Sequence, residues 1–482
     1  MQRRTKVVAT LGPASSSDEV IEQLVLAGVN VVRLNFSHGS ANDHRQRAEK
    51  VRRFARKHGR FIAILADLQG PKIRIARFKD NAIELQPGQP FILDATMDNL
   101  SGNQQRVGIE YKALIEDSQP GDILLLDDGR IELQVDGVND TELHCTVLVG
   151  GPLSNNKGIN RKGGGLSAPA LTAKDKKDII TAAELKADYV AVSFPRCATD
   201  MAQARQLLRE AGGDGGLIAK IERAEAVAND QVLDTIIAAS EGVMVARGDL
   251  GVEIGDAGLV VVQKHIIDRA RAMNKVVITA TQMMESMIHS SLPTRAEVFD
   301  VANAVLDGTD AVMLSAETAA GDYPLQTVEA MVRAISGAER HSQSHTSGHR
   351  MHESFSHIDE SIALSAMYSA NHLDGVKAII CMTESGATPL LMSRIRSRQP
   401  IFAFSRHPRT QTRVALYRGV KTVPFDSMQM ANDQINQLAV DELQHRGVVQ
   451  EGDLVIITKG DYINAQSGTN TMKIVRVGSK IH

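Results

Sequence analysis

Cysteine is scarce in this chain of 482 residues: Cys145, Cys197 and Cys381 stand far apart and form no CxxC pair. That spacing excludes a disulfide framework and a cysteine-based zinc site, and it fits a reducing cytoplasm. Surplus charge is missing too. The formal net charge is −3, so the balance gives no sign of nucleic acid or an anionic membrane surface as a partner. No apolar stretch reaches the length of a membrane span. The N-terminal apolar run behind Arg3 and Arg4 breaks at Gly12-Pro13, too short for a signal peptide. Apolar material itself is plentiful: 43% of residues are hydrophobic, ample for sizeable cores, and the length calls for about two to four domains.

Eight short apolar runs recur at 6–10, 29–34, 61–65, 189–193, 217–221, 243–246, 275–279 and 310–314. Continuous runs of this length suit parallel strands buried on both faces. Helix-like stretches separate most of them, among them 17–27, 44–58, 200–211 and 260–273. Eight β-α units point to an α/β fold of the closed (β/α)8 TIM-barrel type rather than an open sheet. Nearly every run ends in polar residues, Arg33, Asn35, Ser37, Asp67, Lys220, Glu222, Asp249, Thr281 and Glu317 among them, which is where such a barrel keeps its active site.

The rhythm breaks once. Between Asp67 and Asp188 lie alternating runs at 81–85, 121–126, 130–135 and 143–149, separated by turns such as Gln86-Pro87-Gly88 and Asp127-Asp128-Gly129. This predicts a small all-β lid domain, of β-barrel type, inserted in the barrel at 70–167. Its return edge holds Gly150, Gly151 and Gly163 to Gly165, read equally well as a hinge or as turn geometry. The barrel is assigned to 1–69 and 168–340. Residues 341–357, with His341, His345, His349, His352 and His357 among polar neighbours, read as a solvated linker rather than a metal site. A separate C-terminal α/β domain follows at 358–482, with strands at 377–381, 400–404, 454–458 and 471–477.

The chemistry centres on Lys220, Glu222 and Asp249. Lys220 and Glu222 share one face of a strand, because side chains alternate with period two. Asp249 ends the next apolar run, so two carboxylates from neighbouring strand ends make an oxygen-rich site for a hard cation such as Mg²⁺. A lysine beside that metal would stabilise a developing negative charge on a substrate oxygen. A structural salt bridge is the plainer reading of the trio, and a Mg²⁺-dependent aldolase or lyase acting through a pyruvate enolate would use the same groups. A non-catalytic regulatory protein should have lost one of the three. The tripeptide Arg247-Gly248-Asp249 is not read as an adhesion motif, since it directly ends a buried strand.

Six motifs then stand in order: RLNFSHG at 33–39, DLQGPKIR at 67–74, KIE at 220–222, MVARGDLG at 244–251, TATQM at 279–283 and MLSAET at 313–318. Together they resemble pyruvate kinase over essentially the whole chain. GPLSNNKG at 151–158, with high Met and low aromatic content, looks like the bacterial branch. The resemblance implies a homotetrameric, cytoplasmic, allosteric enzyme that transfers the phosphoryl group of phosphoenolpyruvate to ADP, giving pyruvate and ATP in the last step of glycolysis. It implies Glu222 and Asp249 as ligands of Mg²⁺ or Mn²⁺. Lys220, Arg33 and Thr281 become catalytic residues, and Gly248 and Asp249 join them in substrate binding. Arg74, Lys157, Asn35 and His38 fall at nucleotide-binding positions.

Asn35, Ser37, Asp67 and the carbonyl of Leu68 match a K⁺ site. Lys72, however, stands where K⁺-dependent members carry glutamate, and its ammonium is expected to replace the ion, so K⁺ is not required; a lysine pointing into solvent is the bland alternative. Thr383, Ser385, Gly386 and Thr388 follow the first C-terminal strand and match the effector loop, a phosphate cradle on this reading and a plain helix cap on the other. Glu384, where a basic residue is often found, is expected to repel a second phosphate, so the expected activator is a monophosphate, either a sugar phosphate or AMP. A threonine hydroxyl is too weak an acid to protonate the enolate unaided; a water chain through Ser315 and Glu317 is one route, and the sequence leaves the donor open.

Overall fold

A computed structural model of the protein describes residues 3–71, 73–342, 354–431, 434–460 and 468–480. Lys72 and the linker histidines His345, His349 and His352 lie outside the described residues. The eight apolar runs form one closed parallel barrel. Its strands are β1 (Lys6–Leu11), β2 (Val31–Asn35), β3 (Ala63–Asp67), β4 (Tyr189–Val192), β5 (Gly216–Ile221), β6 (Gly242–Ala246), β7 (Val276–Ala280) and β8 (Ala311–Leu314). Each strand pairs in parallel with the next, and β8 closes the ring on β1 through Lys6 opposite Ala311 and Val8 opposite Met313.

Local signals set the helix ends. The helix after β1, Asp18–Ala27, starts where the Ser17 side chain accepts the Val20 amide and stops at Gly28, whose φ of 108° is left-handed. Capping boxes at Ser40, Thr172 and Thr294 start three more of the outer helices. The helices bury one apolar stripe against the outer face of the sheet, where Val7, Val32, Ile64, Val190, Ala219, Val245, Val277 and Val312 meet them. Alternate residues point inward: Val8, Val31, Leu65, Ala191, Ile218, Met244, Ile278 and Met313 fill the barrel axis.

Between β3 and β4 the chain builds a six-stranded sheet and a two-stranded ribbon. Leu85, Phe91, Leu93, Leu124, Leu133, Val135 and Val147 form their own core. The strands Pro90–Asp94, Arg106–Gly108, Gly151–Ser154 and Ile159–Arg161 were not apparent from the alternation, being three to five residues long. Beyond the barrel, a five-stranded sheet runs in the order Val420–Pro424, Ile401–Ser405, Val376–Met382, Leu454–Lys459, Thr471–Arg476, with only the last strand antiparallel. The sequence did not reveal Val420–Pro424, because its Lys421, Thr422 and closing Pro424 leave just two buried apolar residues.

This α/β unit plugs the N-terminal end of the barrel, leaving the C-terminal ends of the strands to the inserted sheet. The Tyr189 hydroxyl donates to the Arg413 carbonyl at 2.8 Å, and Lys6 Nζ donates to the Val420 carbonyl at 2.5 Å. Arg394 and Asp310, 1% and 0% exposed, form a forked ion pair across the seam. Asp310 also accepts the Val277 and Arg418 amides at 2.9 and 3.0 Å. Breaking such a pair strands a buried charge. Arg394→Ala should therefore lower stability by roughly 3–5 kcal/mol, read as an earlier midpoint in urea unfolding; an unchanged midpoint would show that the seam does not hold the two units together.

Candidate active site

The inward face of each strand continues, at the C-terminal end, into a polar layer. Two residues beyond an inward apolar side chain stand Thr10 after Val8, Arg33 after Val31, Asp67 after Leu65, Ser193 after Ala191 and Lys220 after Ile218. Period two thus delivers five polar groups to one level. They are joined. Thr10 Oγ1 accepts from Arg33 Nη1 at 3.1 Å and donates to the Leu314 carbonyl at 2.8 Å. Arg33 Nε reaches Asp67 Oδ2 at 2.5 Å. Lys220 Nζ lies 3.5 Å from Asp67 Oδ1, 2.9 Å from Glu222 Oε1 and 2.7 Å from Ser193 Oγ. Ser193 Oγ in turn donates to the Leu68 carbonyl at 2.7 Å.

The electrostatics follow from burial. Lys220 is 12% exposed by side chain; burial alone would lower its pKa, but Asp67 and Glu222 outweigh that and raise it. Burial pushes the Glu222 carboxyl up to about 7, with the neighbouring Asp249 charge adding to the shift and Lys220 opposing it. Asp249 is raised for the same first reason. It sits in the first turn of the helix Arg247–Ile254, which starts directly at the end of β6. Burial thus disfavours the charge on both carboxylates, and the Asp249 charge disfavours that of Glu222 further, with Lys220 opposing the shift in each.

A cavity of about 270 Å³ opens over this layer, lined by Lys220, Glu222, Asp249, Arg74, Arg223 and Ser37 among others. Asp128 and Asn160 of the inserted sheet close its far side. An adjoining cavity of about 1060 Å³ shares Asp249 and holds Gly248, Thr281, Ser315 and Glu317. Thr281 has φ of 69°, rare for a β-branched residue. Its hydroxyl accepts the Gly248 amide at 2.8 Å and donates to the Ala280 carbonyl at 2.5 Å. Arg247 holds the Thr281 carbonyl through Nη2 at 2.6 Å and is anchored by Asp300 at 2.7 Å. Glu317 accepts the Ser315 amide at 2.6 Å, and burial raises its pKa.

Other residues read from the sequence fall nearby but are otherwise engaged. The Asn35 side chain accepts the Ser37 amide at 3.1 Å, and His38 is exposed on the same turn. Lys157, on the inserted unit, pairs with Asp127 at 2.6 Å. Among the described residues no group of three or more His, Cys, Asp or Glu side chains could hold a metal, so the two carboxylates stand as a pair. Far away, at the plug, Thr383 Oγ1 accepts the Gly386 amide at 2.9 Å and Thr388 meets Thr469 at 2.7 Å. Glu384 there is not a bare charge: Arg406 and His407 both contact its carboxylate. The repulsion expected of it is correspondingly smaller. Sequence reasoning missed Thr10 and Ser193, although both follow an inward apolar residue by two and were findable on that count.

Residues 2–328 match the family described as pyruvate kinase, barrel domain, and residues 360–475 match the pyruvate kinase alpha/beta domain. "Pyruvate kinase II" of Salmonella typhimurium is 58% identical over 475 residues, covering 98% of this chain and 99% of that one. The pyruvate kinase of Haemophilus influenzae is 56% identical over 458 residues, covering 95% and 96%. A crystal structure of a pyruvate kinase from Cryptosporidium parvum superposes with a TM-score of 0.90 at 34% identity, covering 98% of this chain and 96% of the other. Among the described residues no helix is long and apolar enough to cross a membrane. With its barrel and its C-terminal α/β unit both matched, and with relatives aligned along nearly its whole length, the chain belongs to the pyruvate kinase family.

Proposed function

We propose that the polar layer at the barrel mouth carries out the family's reaction with a division of labour legible in its contacts. The protein is a phosphotransferase of glycolysis: it moves the phosphoryl group of phosphoenolpyruvate to ADP, giving pyruvate and ATP. An aldolase or lyase on the same barrel would use the carboxylates and lysine, but the family match sets it aside. The observation that carries the assignment of roles is Lys220, a buried ammonium held between Glu222 and Asp67 and facing the cavity.

Pyruvate kinases use Mg²⁺ and K⁺. Glu222 and Asp249 suit Mg²⁺ or Mn²⁺, because two buried carboxylates leave the remaining coordination positions to substrate and water oxygens. Bound there, the metal would neutralise charge on the phosphoryl and enol oxygens. Lys220 adds a fixed positive charge where the transferring group and the enolate develop theirs, in a site that needs no reorganisation. Arg33 and Arg74 bind phosphoryl oxygens with their planar forks. Gly248 and Asp249 present the amides of a helix start to the substrate. Thr281 orients Gly248; its own proton is committed to a carbonyl, so protonation of the enolate falls to water ordered by Ser315 and Glu317. Asn35, His38 and Lys157 bind the nucleotide, Lys157 by exchanging Asp127 for a phosphate. The enzyme is a cytoplasmic homotetramer on this reading.

Lys220→Ala should cost roughly 3–4 kcal/mol of barrier, with phosphoenolpyruvate and Mg²⁺ still bound. Glu222→Ala should instead raise the Mg²⁺ requirement. A coupled assay with phosphoenolpyruvate, ADP and Mg²⁺ reads both, and wild-type turnover in the lysine variant would overturn the assignment.

Asp67 of the candidate K⁺ site already faces two cationic side chains, Arg33 and Lys220. This supports turnover with Mg²⁺ alone, Lys72 supplying the further positive charge in place of K⁺. Lys72→Glu should create dependence on K⁺. A wild-type enzyme inactive without K⁺ and rescued by it refutes the substitution.

The Thr383–Thr388 loop binds the activator. With no basic side chain in that hexapeptide, a single phosphate is the better fit, as in a sugar monophosphate or AMP. Thr383→Ala with Thr388→Ala should abolish activation and spare the basal rate. Activation chiefly by fructose 1,6-bisphosphate that survives these changes excludes the loop.

A further inference from the structure

Beyond the residues given roles above, one turn of the chain touches both charged partners of the site. It is Ser193-Phe194, which directly follows β4. Ser193 is 1% exposed, and each of its polar contacts is committed. Its hydroxyl gives its one proton to the Leu68 carbonyl at 2.7 Å, so only lone pairs face Lys220 Nζ, 2.7 Å away. The orientation is therefore forced: the hydroxyl can accept from the ammonium and cannot compete with it as a donor. One residue on, the Phe194 amide donates to Glu222 Oε2 at 2.8 Å. The two side chains of the KIE motif are thus each held from the same turn, one by a hydroxyl and one by a peptide N–H.

The turn is strained to do this. Phe194 has φ of 55°, a left-handed conformation that bulky residues rarely adopt. Such a conformation persists only where its surroundings over-determine it, and here they do. Arg223 lies over the Phe194 ring at 5.6 Å while donating to the Leu166 carbonyl at 2.7 Å. Gly70 packs so closely beneath that a Cβ on it would stand 2.7 Å from the Ser193 Cβ. Lys220 has three N–H donors and three neighbours: Ser193, Glu222 and, at longer range, Asp67. If Glu222 turns to a metal, Ser193 is the short contact that remains.

We propose that the Ser193–Phe194 turn is the positioning element of this active site: the Ser193 hydroxyl aims the Lys220 ammonium at the substrate, and the strained Phe194 peptide aims the Glu222 carboxylate at the metal. Neither residue is catalytic; each acts through its partner, and the proposal rests on the roles given to Lys220 and Glu222. Misplacing a reacting group by about 1 Å can cost roughly a hundredfold in rate. Ser193→Ala should accordingly lower kcat by roughly ten- to a hundredfold while the KM for phosphoenolpyruvate and the Mg²⁺ requirement stay near wild type. Ser193→Thr, which restores the oxygen, should recover most of the rate.

Phe194→Gly keeps the N–H but frees the backbone, so it should act on the other partner and raise the Mg²⁺ requirement several-fold. This second variant also reports if Ser193→Ala fails to fold, which thermal denaturation of the full-length enzyme would reveal. Lys220→Ala serves as the reference. If it turns over normally, the role of Lys220 itself is wrong. If it is dead while Ser193→Ala and Phe194→Gly behave as wild type, the positioning role is wrong. Equal losses in the Ala and Thr variants of Ser193 would likewise overturn it, because the hydroxyl would then not be what matters.

Discussion

Everything at the mouth of this barrel depends on one buried ammonium having anionic company. Lys220 stands on a strand whose inward face is otherwise apolar, one step beyond Ile218. An isolated charge at that depth would be expelled or neutralised. Asp67 and Glu222, 1% and 2% exposed, are as deeply placed and would be as costly alone. Held together, each makes the others tolerable. The consequences spread outward: Asp67 fixes Arg33, Arg33 fixes Thr10, and Glu222 takes the Phe194 amide. On the proposed reading, what such a layer contributes to catalysis is order. Phosphoryl transfer asks for little covalent help and much fixed positive charge, and here the charge is fixed before substrate arrives.

The other end of the barrel is built on the same logic with a different purpose. Asp310 immediately precedes β8, takes Arg394 and the Arg418 amide from the plug, and receives the Val277 amide from β7. Asp188 immediately precedes β4, accepts the Ile64 amide at 2.8 Å, and accepts the Thr412 hydroxyl of the plug at 2.5 Å. β4 and β8 therefore carry a plug contact at one end and lead into residues of the candidate site at the other, Ser193 after one and Ser315 with Glu317 after the other. The Thr383–Thr388 loop lies in the unit that grips these starts. A physical path between that unit and the site consists of two strands, each about four residues long, whose rigidity comes from the packed barrel around them.

Much of this was legible in the chain. Eight short apolar runs with helical spacers specify a parallel barrel, because only a sheet covered on both faces tolerates unbroken hydrophobicity. Period two alone puts Lys220 and Glu222 on one face of their strand. The inserted unit was visible as alternation between two barrel strands, and its glycine-rich return as a change in composition. Less visible were elements whose identity is decided by partners. Val420–Pro424 has too little apolar content to announce itself and becomes a strand because Ile401–Ser405 offers it a full edge of backbone groups. The four short strands of the inserted unit, three in its sheet and Gly151–Ser154 in its ribbon, owe their state to their neighbours in the same way.

The sequence by itself determined the residue inventory, the eight barrel strands and the face on which their polar groups emerge, since these follow from local alternation and from burial that any sheet must satisfy. Tertiary structure alone decided which of those groups meet. Glu384 reads as a lone acid until Arg406 and His407, more than twenty residues away in the chain, close on it. Ser193 reads as the end of an apolar run until the closure of the barrel brings Leu68 and Lys220 to its two sides. Hydrogen bonds and ion pairs act over a few ångströms of space, whatever the separation along the chain. A linear pattern can therefore supply the donors and acceptors, and only the closed barrel can pair them.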